Sequence, residues 1–504
     1  MGSMEGWHRR EFLAAAGAAI AAAACGGSEG RAPTGLATPT TATPTTAVPP
    51  TTAPLDPSKP WWLQGGYAPV EQEVVAEDLE VTGALPPELT GTYVRNGSNP
   101  RTGDSPHWFF GDGMVHGIHL EGGQARWYRN RYVQTPLYQA SAGFGSGAPG
   151  GTNTQSNVSA IRLGDRLLTS GEVGFPFELD PTDLSTVGPF DFGGRLATSM
   201  TAHPKLDPAT GLLHFFGYGF VPPYLTYHVA SPDGSLVHST EIPVPGPTMI
   251  HDFAITERDA VFWDLPVVFD LQAAIAYIDD PSQSGFPFTW DPSYGARVGV
   301  LPLGGDGSEV TWASLDEPCY VFHGVNAFRR DDTVVIDVCR LSSMFDAEAD
   351  GALGGEASLR RWTVHPGSKV VDDVLVEPGD DPGDLPSRDP RLVGREHRHG
   401  YLVQARDAEG TVDLGGVIKH DFRTGRRERW DPGPSRHSGE WLFVPSEDGT
   451  ADDEGWLLAY VHDEATAASE LVVLDASDVT SGPVASVALP QRVPYGFHAA
   501  WMPV

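Results

Sequence analysis

The sequence predicts one large all-β domain, closed on itself or radial rather than a sandwich. Three observations carry this. Compact apolar or alternating runs recur between turn residues, as in Leu212–Tyr218, Ala260–Trp263, Thr333–Val338 and Trp456–Val461. Glycine (59) and proline (44) are abundant, and Asp233-Gly234, Asp306-Gly307 and Asp448-Gly449 are hairpin-type dipeptides. Helical periodicity is scarce, with room for one short helix in Val267–Asp279, and even strand–turn spacing continues from 58 to 504 with no internal linker. No clean blade-length repeat is visible, so the number of radial units cannot be read from period.

Composition narrows the class. Hydrophobic residues at 40% and aromatics at 10% suffice for a substantial core. The formal net charge of −33 argues against nucleic acid or an anionic membrane surface as partner, and suits the solubility of an exported protein.

The N-terminus reads as an address. Arg9-Arg10-Glu11-Phe12-Leu13 is a twin-arginine pair followed by the apolar run Leu13–Ala24, too short for a stable membrane span. Ala22-Ala23-Ala24-Cys25 resembles a lipoprotein processing site, although its first position is usually leucine. Residues 1–30 are therefore an export signal. Two outcomes follow: a cell-envelope lipoprotein attached through lipidated Cys25, or a secreted protein after ordinary cleavage. Residues 31–57 are Pro/Thr-rich and form a disordered linker, which leaves 58–504 as the β domain.

The chain closes on Tyr495-Gly496-Phe497-His498-Ala499-Ala500-Trp501-Met502-Pro503-Val504, with no charged side chain after Arg492. Such an end should be buried, and a buried histidine needs partners for its ring nitrogens. Thr201-Ala202-His203-Pro204-Lys205, Met249-Ile250-His251-Asp252-Phe253 and Tyr320-Val321-Phe322-His323-Gly324 also put a histidine in an apolar or small-residue setting. The four histidines are expected to meet at one metal, each from a different radial unit; iron, copper and zinc all accept imidazole. Spacing alone is weak support. His107, His116 and His119 cluster more tightly in sequence, and His397 and His399 sit in a charged run expected to be exposed.

Several ordered stretches resemble the carotenoid cleavage oxygenase family. They include Leu63–Val70, Tyr93–Pro100, Phe110–His116, Asp191–Leu196, His251–Thr256, Asp389–Arg395 and Pro494–His498. The resemblance runs from Trp61 to Val504. It implies a seven-bladed β-propeller, with a few short helices and loops capping the active-site face. It also implies a non-haem Fe(II) on the axis, held by His203, His251, His323 and His498. The family cleaves a carbon–carbon double bond with dioxygen into two carbonyl products. Its outer-shell glutamates match Glu172 and Glu440, while the third falls at Asp384, one methylene short, where a bridging water is expected to close the gap. Val158 occupies a place near the open iron position where many members carry threonine. His107, His116 and His119, with Tyr93 and Arg95, then become scaffold.

The resemblance implies an elongated, conjugated, apolar substrate and dioxygen, with no obligate protein partner. Carotenoids, apocarotenoids and stilbenes all qualify, and the same scaffold supports retinoid isomerisation. Only Lys59, Lys205, Lys369 and Lys419 are available to hold a phenol, which tilts the reading toward an apocarotenoid. Tunnel candidates Phe109, Phe175, Phe288 and Trp290 cannot be separated from core. A non-catalytic exported propeller that binds a partner is the alternative of another class. Cys319 and Cys339 flank a hairpin around Arg330-Asp331-Asp332 and sit out of register for a disulfide.

Overall fold

Strands of two to eleven residues pair into eight mostly antiparallel sheets among the described residues; seven are the blades of one propeller and the eighth is a two-stranded hairpin. The structure, a computed structural model, describes residues 40–41, 55–56 and 58–504, except 143–150, 280–286, 347–353, 377–382 and 407–411. The export signal, Cys25 and nearly all of the linker lie outside the described residues.

Blades 2, 3, 5 and 6 are meanders of sequential strands, and blade 4 is a meander interrupted by the hairpin of Val267–Phe269 and Phe288–Trp290. Their innermost strands are Ser159–Leu163, Lys205–Leu206, Phe253–Ile255, Tyr320–Arg330 and Gly383–Ser387. Both chain ends close the ring. Ala499–Pro503 becomes the innermost strand of blade 1, antiparallel to Gly91–Ser98. Val81–Gly83 becomes the outermost strand of blade 7, antiparallel to Pro483–Ala488. Closure of this kind removes the free sheet edge that a linear stack would leave.

Local chemistry explains the pairing. Blade 5 joins two β-branched and aromatic runs, Tyr320–Arg330 and Thr333–Leu341, with Arg330 facing Thr333. The connecting Asp331 sits at φ 55, a left-handed value that aspartate tolerates. The core lies between blades rather than at the axis. Leu213 and Phe215 of blade 3 pack on Ile161 and Leu168 of blade 2. Tyr401 and Val403 of blade 6 pack on Leu457 and Ala459 of blade 7. The axis is thereby left for polar groups.

Some local expectations are corrected. Asp306-Gly307 is no two-residue hairpin: Asp306 and Glu309 form a capping box around the 3-10 turn Gly307–Glu309. Asp448-Gly449 lies within a longer connection between Leu442–Pro445 and Gly455–Asp463. In Val267–Asp279 the first residues, Val267–Phe269, form a strand paired with Phe288–Trp290, and the helix is confined to Leu271–Asp279. That helix, Pro136–Ala140 and the 3-10 turn Trp108–Phe110 all fall in second-to-third-strand or blade-to-blade connections. In this topology such connections lie on the face where innermost strands begin.

Candidate metal centre

Innermost strands begin on one face, and the four histidines sit at those beginnings. His203, His251 and His498 immediately precede the innermost strands of blades 3, 4 and 1, and His323 lies near the start of that of blade 5. They reach the axis at one height. One ring nitrogen from each lies within 4.8 Å of all the others. His203 Nε2 is 2.9 Å from His251 Nε2, and the buried His323 Nε2 has no hydrogen-bond partner. Two imidazole nitrogens facing each other and a third left orphaned are what a missing shared cation produces.

The outward nitrogens are held by carboxylates. His251 Nδ1 is 2.9 Å from Glu172 Oε2, His323 Nδ1 is 2.8 Å from Asp384 Oδ1, and His498 Nδ1 is 3.1 Å from Glu440 Oε1. Such contacts assign Nδ1–H as donor and leave Nε2 as a lone pair pointing inward. Blades 2, 6 and 7 supply these carboxylates, so each of the seven blades delivers one group to the axis. The expected water bridge at Asp384 is not needed. The innermost strand of blade 6 is irregular between Asp384 and Ser387, with Leu385 at φ 50, and the backbone brings the shorter carboxylate into direct contact.

Each carboxylate has its own anchor. The Tyr218 hydroxyl donates to Glu172 Oε1 at 3.0 Å, the Leu385 N–H to Asp384 Oδ1 at 2.8 Å, and the Ala499 N–H to Glu440 Oε2 at 2.7 Å. Burial and the neighbouring histidines hold the His203 ring well below its ordinary pKa. Burial also lowers that of His498, against the pull of Glu440. At His323 burial acts downward too, but the Asp384 carboxylate outweighs it and the pKa ends raised.

The two sides of this ring differ. Residues before the histidines are apolar. Phe322 packs edge-on against His251 at 5.1 Å, Phe109 lies 6.5 Å from Phe322 and 5.9 Å from Phe497, and Trp108 lies 4.8 Å from Phe497. Val158 packs with this group, and its carbonyl accepts the His498 N–H at 3.1 Å. After the histidines come Pro204, Asp252, Gly324 and Ala499, and the polar groups on that side are Asp252 and Lys205. The buried Asp252 carboxylate takes Lys205 Nζ at 2.6 Å and the Gly324 N–H at 2.9 Å. Since these groups follow His251, His203 and His323, one carboxylate braces three histidine-bearing strands. Sequence reasoning missed Asp252; its signal was the position directly after a histidine.

The remaining candidates find other places. His107 accepts from the Phe109 N–H, His116 pairs with the Tyr128 hydroxyl at 2.8 Å, and His119 pairs with Thr92 and stacks on Trp127. They are scaffold, as expected. His397 and His399 are buried, not exposed: His399 Nδ1 meets Asp452 at 2.7 Å, and His397 packs on Phe422 beside Asp337. Their charged neighbours Glu396 and Arg398 are exposed, so the run alternates, with the histidines inward and the charges outward. Arg95 is buried and donates to the Pro494 carbonyl, steering the arm that carries His498. Gly496 permits that arm, since a Cβ there would meet Asn96 O at 2.7 Å. Phe175 packs against the core between blades 2 and 3, and Phe288 and Trp290 against that of blades 3 to 5. Only Phe109 of the four tunnel candidates joins the aromatic cover. Cys319 and Cys339 are buried free thiols.

Comparison with known proteins places this geometry. The retinal pigment epithelial membrane protein (RPE65) family matches residues 67–503. The chain belongs to this RPE65/carotenoid cleavage oxygenase family. A carotenoid cleavage oxygenase from Mycobacterium tuberculosis is 37% identical, the match covering 88% of this chain and 97% of that protein. The crystal structure of a Pseudomonas brassicacearum lignostilbene dioxygenase superposes with TM-score 0.79 at 30% identity, over 91% of this chain and all of the other. Cobalt-substituted Synechocystis apocarotenoid oxygenase gives TM-score 0.77 at 28% identity, over 88% and 98%. The carotenoid cleavage oxygenases are metal-dependent dioxygenases, and the donor set here fits such an ion. Four imidazoles suit a transition metal and exclude the oxygen-rich coordination of calcium or magnesium. Nitrogens all within 4.8 Å of one another are compatible with the roughly 4.2 Å between opposed nitrogens about 2.1 Å from a shared ion.

Proposed function

We propose that this chain is an Fe(II)-dependent dioxygenase that cleaves one carbon–carbon double bond of an apocarotenoid or carotenoid into two carbonyl products. The observation that carries the reading is the ring of four inward imidazoles under an aromatic cover, with His203, His251, His323 and His498 as ligands. Iron(II) bound there supplies the redox chemistry that lets dioxygen react with a closed-shell alkene. Both oxygen atoms end in the two carbonyl groups, so no external reductant is consumed.

The chain's own residues do the rest. Glu172, Asp384 and Glu440 fix the tautomers of His251, His323 and His498 and supply the negative charge that four neutral ligands lack. Phe109, Phe322 and Phe497 give an elongated polyene a dry surface and keep bulk water from the reacting bond. Val158 adds an apolar wall.

Lysine placement favours the apocarotenoid over a phenolic substrate. Lys205 is paired with Asp252 on the opposite side of the ring, and Lys419 is buried against Asp453. Lys59 lies exposed beside Asp56, and Lys369 is exposed. Neither Lys205 nor Lys419 is left for a phenol at the aromatic cover. The structural likeness to a lignostilbene dioxygenase makes stilbene cleavage the second reading.

Anaerobic loading with Fe(II), metal quantification, then oxygen uptake on one apocarotenal, one carotenoid and one hydroxystilbene tests this. About one iron per chain, with uptake on the apocarotenal, is expected. Uptake on the stilbene alone moves the second reading forward. Failure to bind iron supports a non-catalytic propeller. The proposal includes twin-arginine export and processing at Cys25; mass spectrometry of the mature N-terminus separates a lipidated cysteine from a free one.

A further inference from the structure

Below the histidine ring the axis opens into a small cavity lined by Lys205, Phe253, Ile255, Gly324, Asn326 and Arg388. Its polar groups are nearly all committed. Lys205 is bound to Asp252, whose other oxygen accepts the Gly324 N–H. The Asn326 amide donates to the Leu392 and Arg395 carbonyls and accepts the Gly394 N–H. Asp389 is taken by Arg391, whose guanidinium donates three hydrogen bonds to its carboxylate. Arg388 is the exception: its Nε is sealed from solvent and has no hydrogen-bond partner among the described residues.

Charge points the same way. Two cationic side chains, Lys205 and Arg388, line the cavity, and no carboxylate does. Burial draws the Arg388 guanidinium down to about 10, with Asp252 and Asp389 opposing, and it stays charged at neutral pH. A buried guanidinium donor without an acceptor is costly. The cavity has apolar walls at Phe253, Ile255 and Val393 and is small, which suits a monatomic anion better than a carboxylate.

We propose that this axial cavity is a halide site, in which a chloride ion accepts the Arg388 Nε–H and lies among cationic side chains beneath the histidine ring. The site is independent of the metal's identity and of the substrate.

Two measurements on the full protein test it. Crystals grown in sodium bromide should show anomalous density in the cavity within hydrogen-bond reach of Arg388 Nε. Water there, with bromide visible elsewhere on the protein, would overturn the proposal. In solution, melting in chloride is compared with melting in gluconate at equal ionic strength, because a chain of net charge −33 is stabilised by any salt. A chloride concentration tenfold above its dissociation constant should raise the melting temperature by about 1–2 °C over gluconate. That difference should vanish in Arg388→Gln, and its persistence would count against the site. If Arg388→Gln does not fold, the bromide experiment on the unmodified protein decides alone.

Discussion

The two sides of the histidine ring are built from the same short stretches of chain and differ completely. The residues just before the histidines, Phe322 and Phe497, join Phe109 and Trp108 in an aromatic cover. The residues just after, Asp252, Gly324 and Lys205, join Arg388 in a charged axial pocket. Innermost strands of a propeller all run the same way along the axis. A sequence step across a histidine is therefore a step from one side of the ring to the other. The difference assigns the sides: on the proposed function the apolar substrate meets the cover, and bracing comes from the axis.

Removing the ring itself should have the largest effect. In His251→Ala or His498→Ala, metal content should fall below about a tenth per chain and oxygen uptake by more than about 100-fold, beyond the 10–100-fold typical of outer partners. The fold, followed by circular dichroism, should persist because the core lies between the blades. Full activity in either variant would remove the ligand assignment.

Next comes the axial side. Asp252→Asn leaves Lys205 buried without its counter-ion and should cost about 3–5 kcal/mol in denaturant unfolding. The double variant Asp252→Asn/Lys205→Met should recover part of that loss. Equal instability of single and double variants would show that the brace acts through hydrogen bonding to Gly324 rather than through charge.

Glu440→Gln keeps an acceptor for the His498 ring but removes the charge. Metal affinity should weaken by about 10–100-fold, read from competition with a chelator. An unchanged affinity would place Glu440 outside the metal's support.

The smallest effect belongs to the cover. Phe109→Ala should raise KM for an apolar substrate about tenfold while metal content stays at the unmodified level. A fall in metal content instead would merge the two sides and break the distinction between them.

Much of this was legible beforehand, for physical reasons. His203, His251, His323 and His498 stood out as polar groups in apolar or small-residue settings, and ordered motifs tied them to a family. The charged run around His397 and His399 misled because its charges, Glu396 and Arg398, do face outward while the alternating histidines face inward. Asp384 misled because side-chain length was weighed without the backbone irregularity that follows it. Phe175 and Phe109 were indistinguishable in sequence, yet one packs into a core between blades and the other covers the ring.

Amino-acid order by itself determined the all-β class, the turn chemistry, the four histidines and the wish of the C-terminal segment to be buried. These are local matters of periodicity, rotamer shape and hydration. Only tertiary structure decided which strand of which blade is innermost, which carboxylate meets which imidazole, and that Asp252 and Arg388 share the axis. Such pairings join residues tens to hundreds of positions apart. They are set by closure of the ring, where Ala499–Pro503 docks on Gly91–Ser98 and brings all seven blades to one centre.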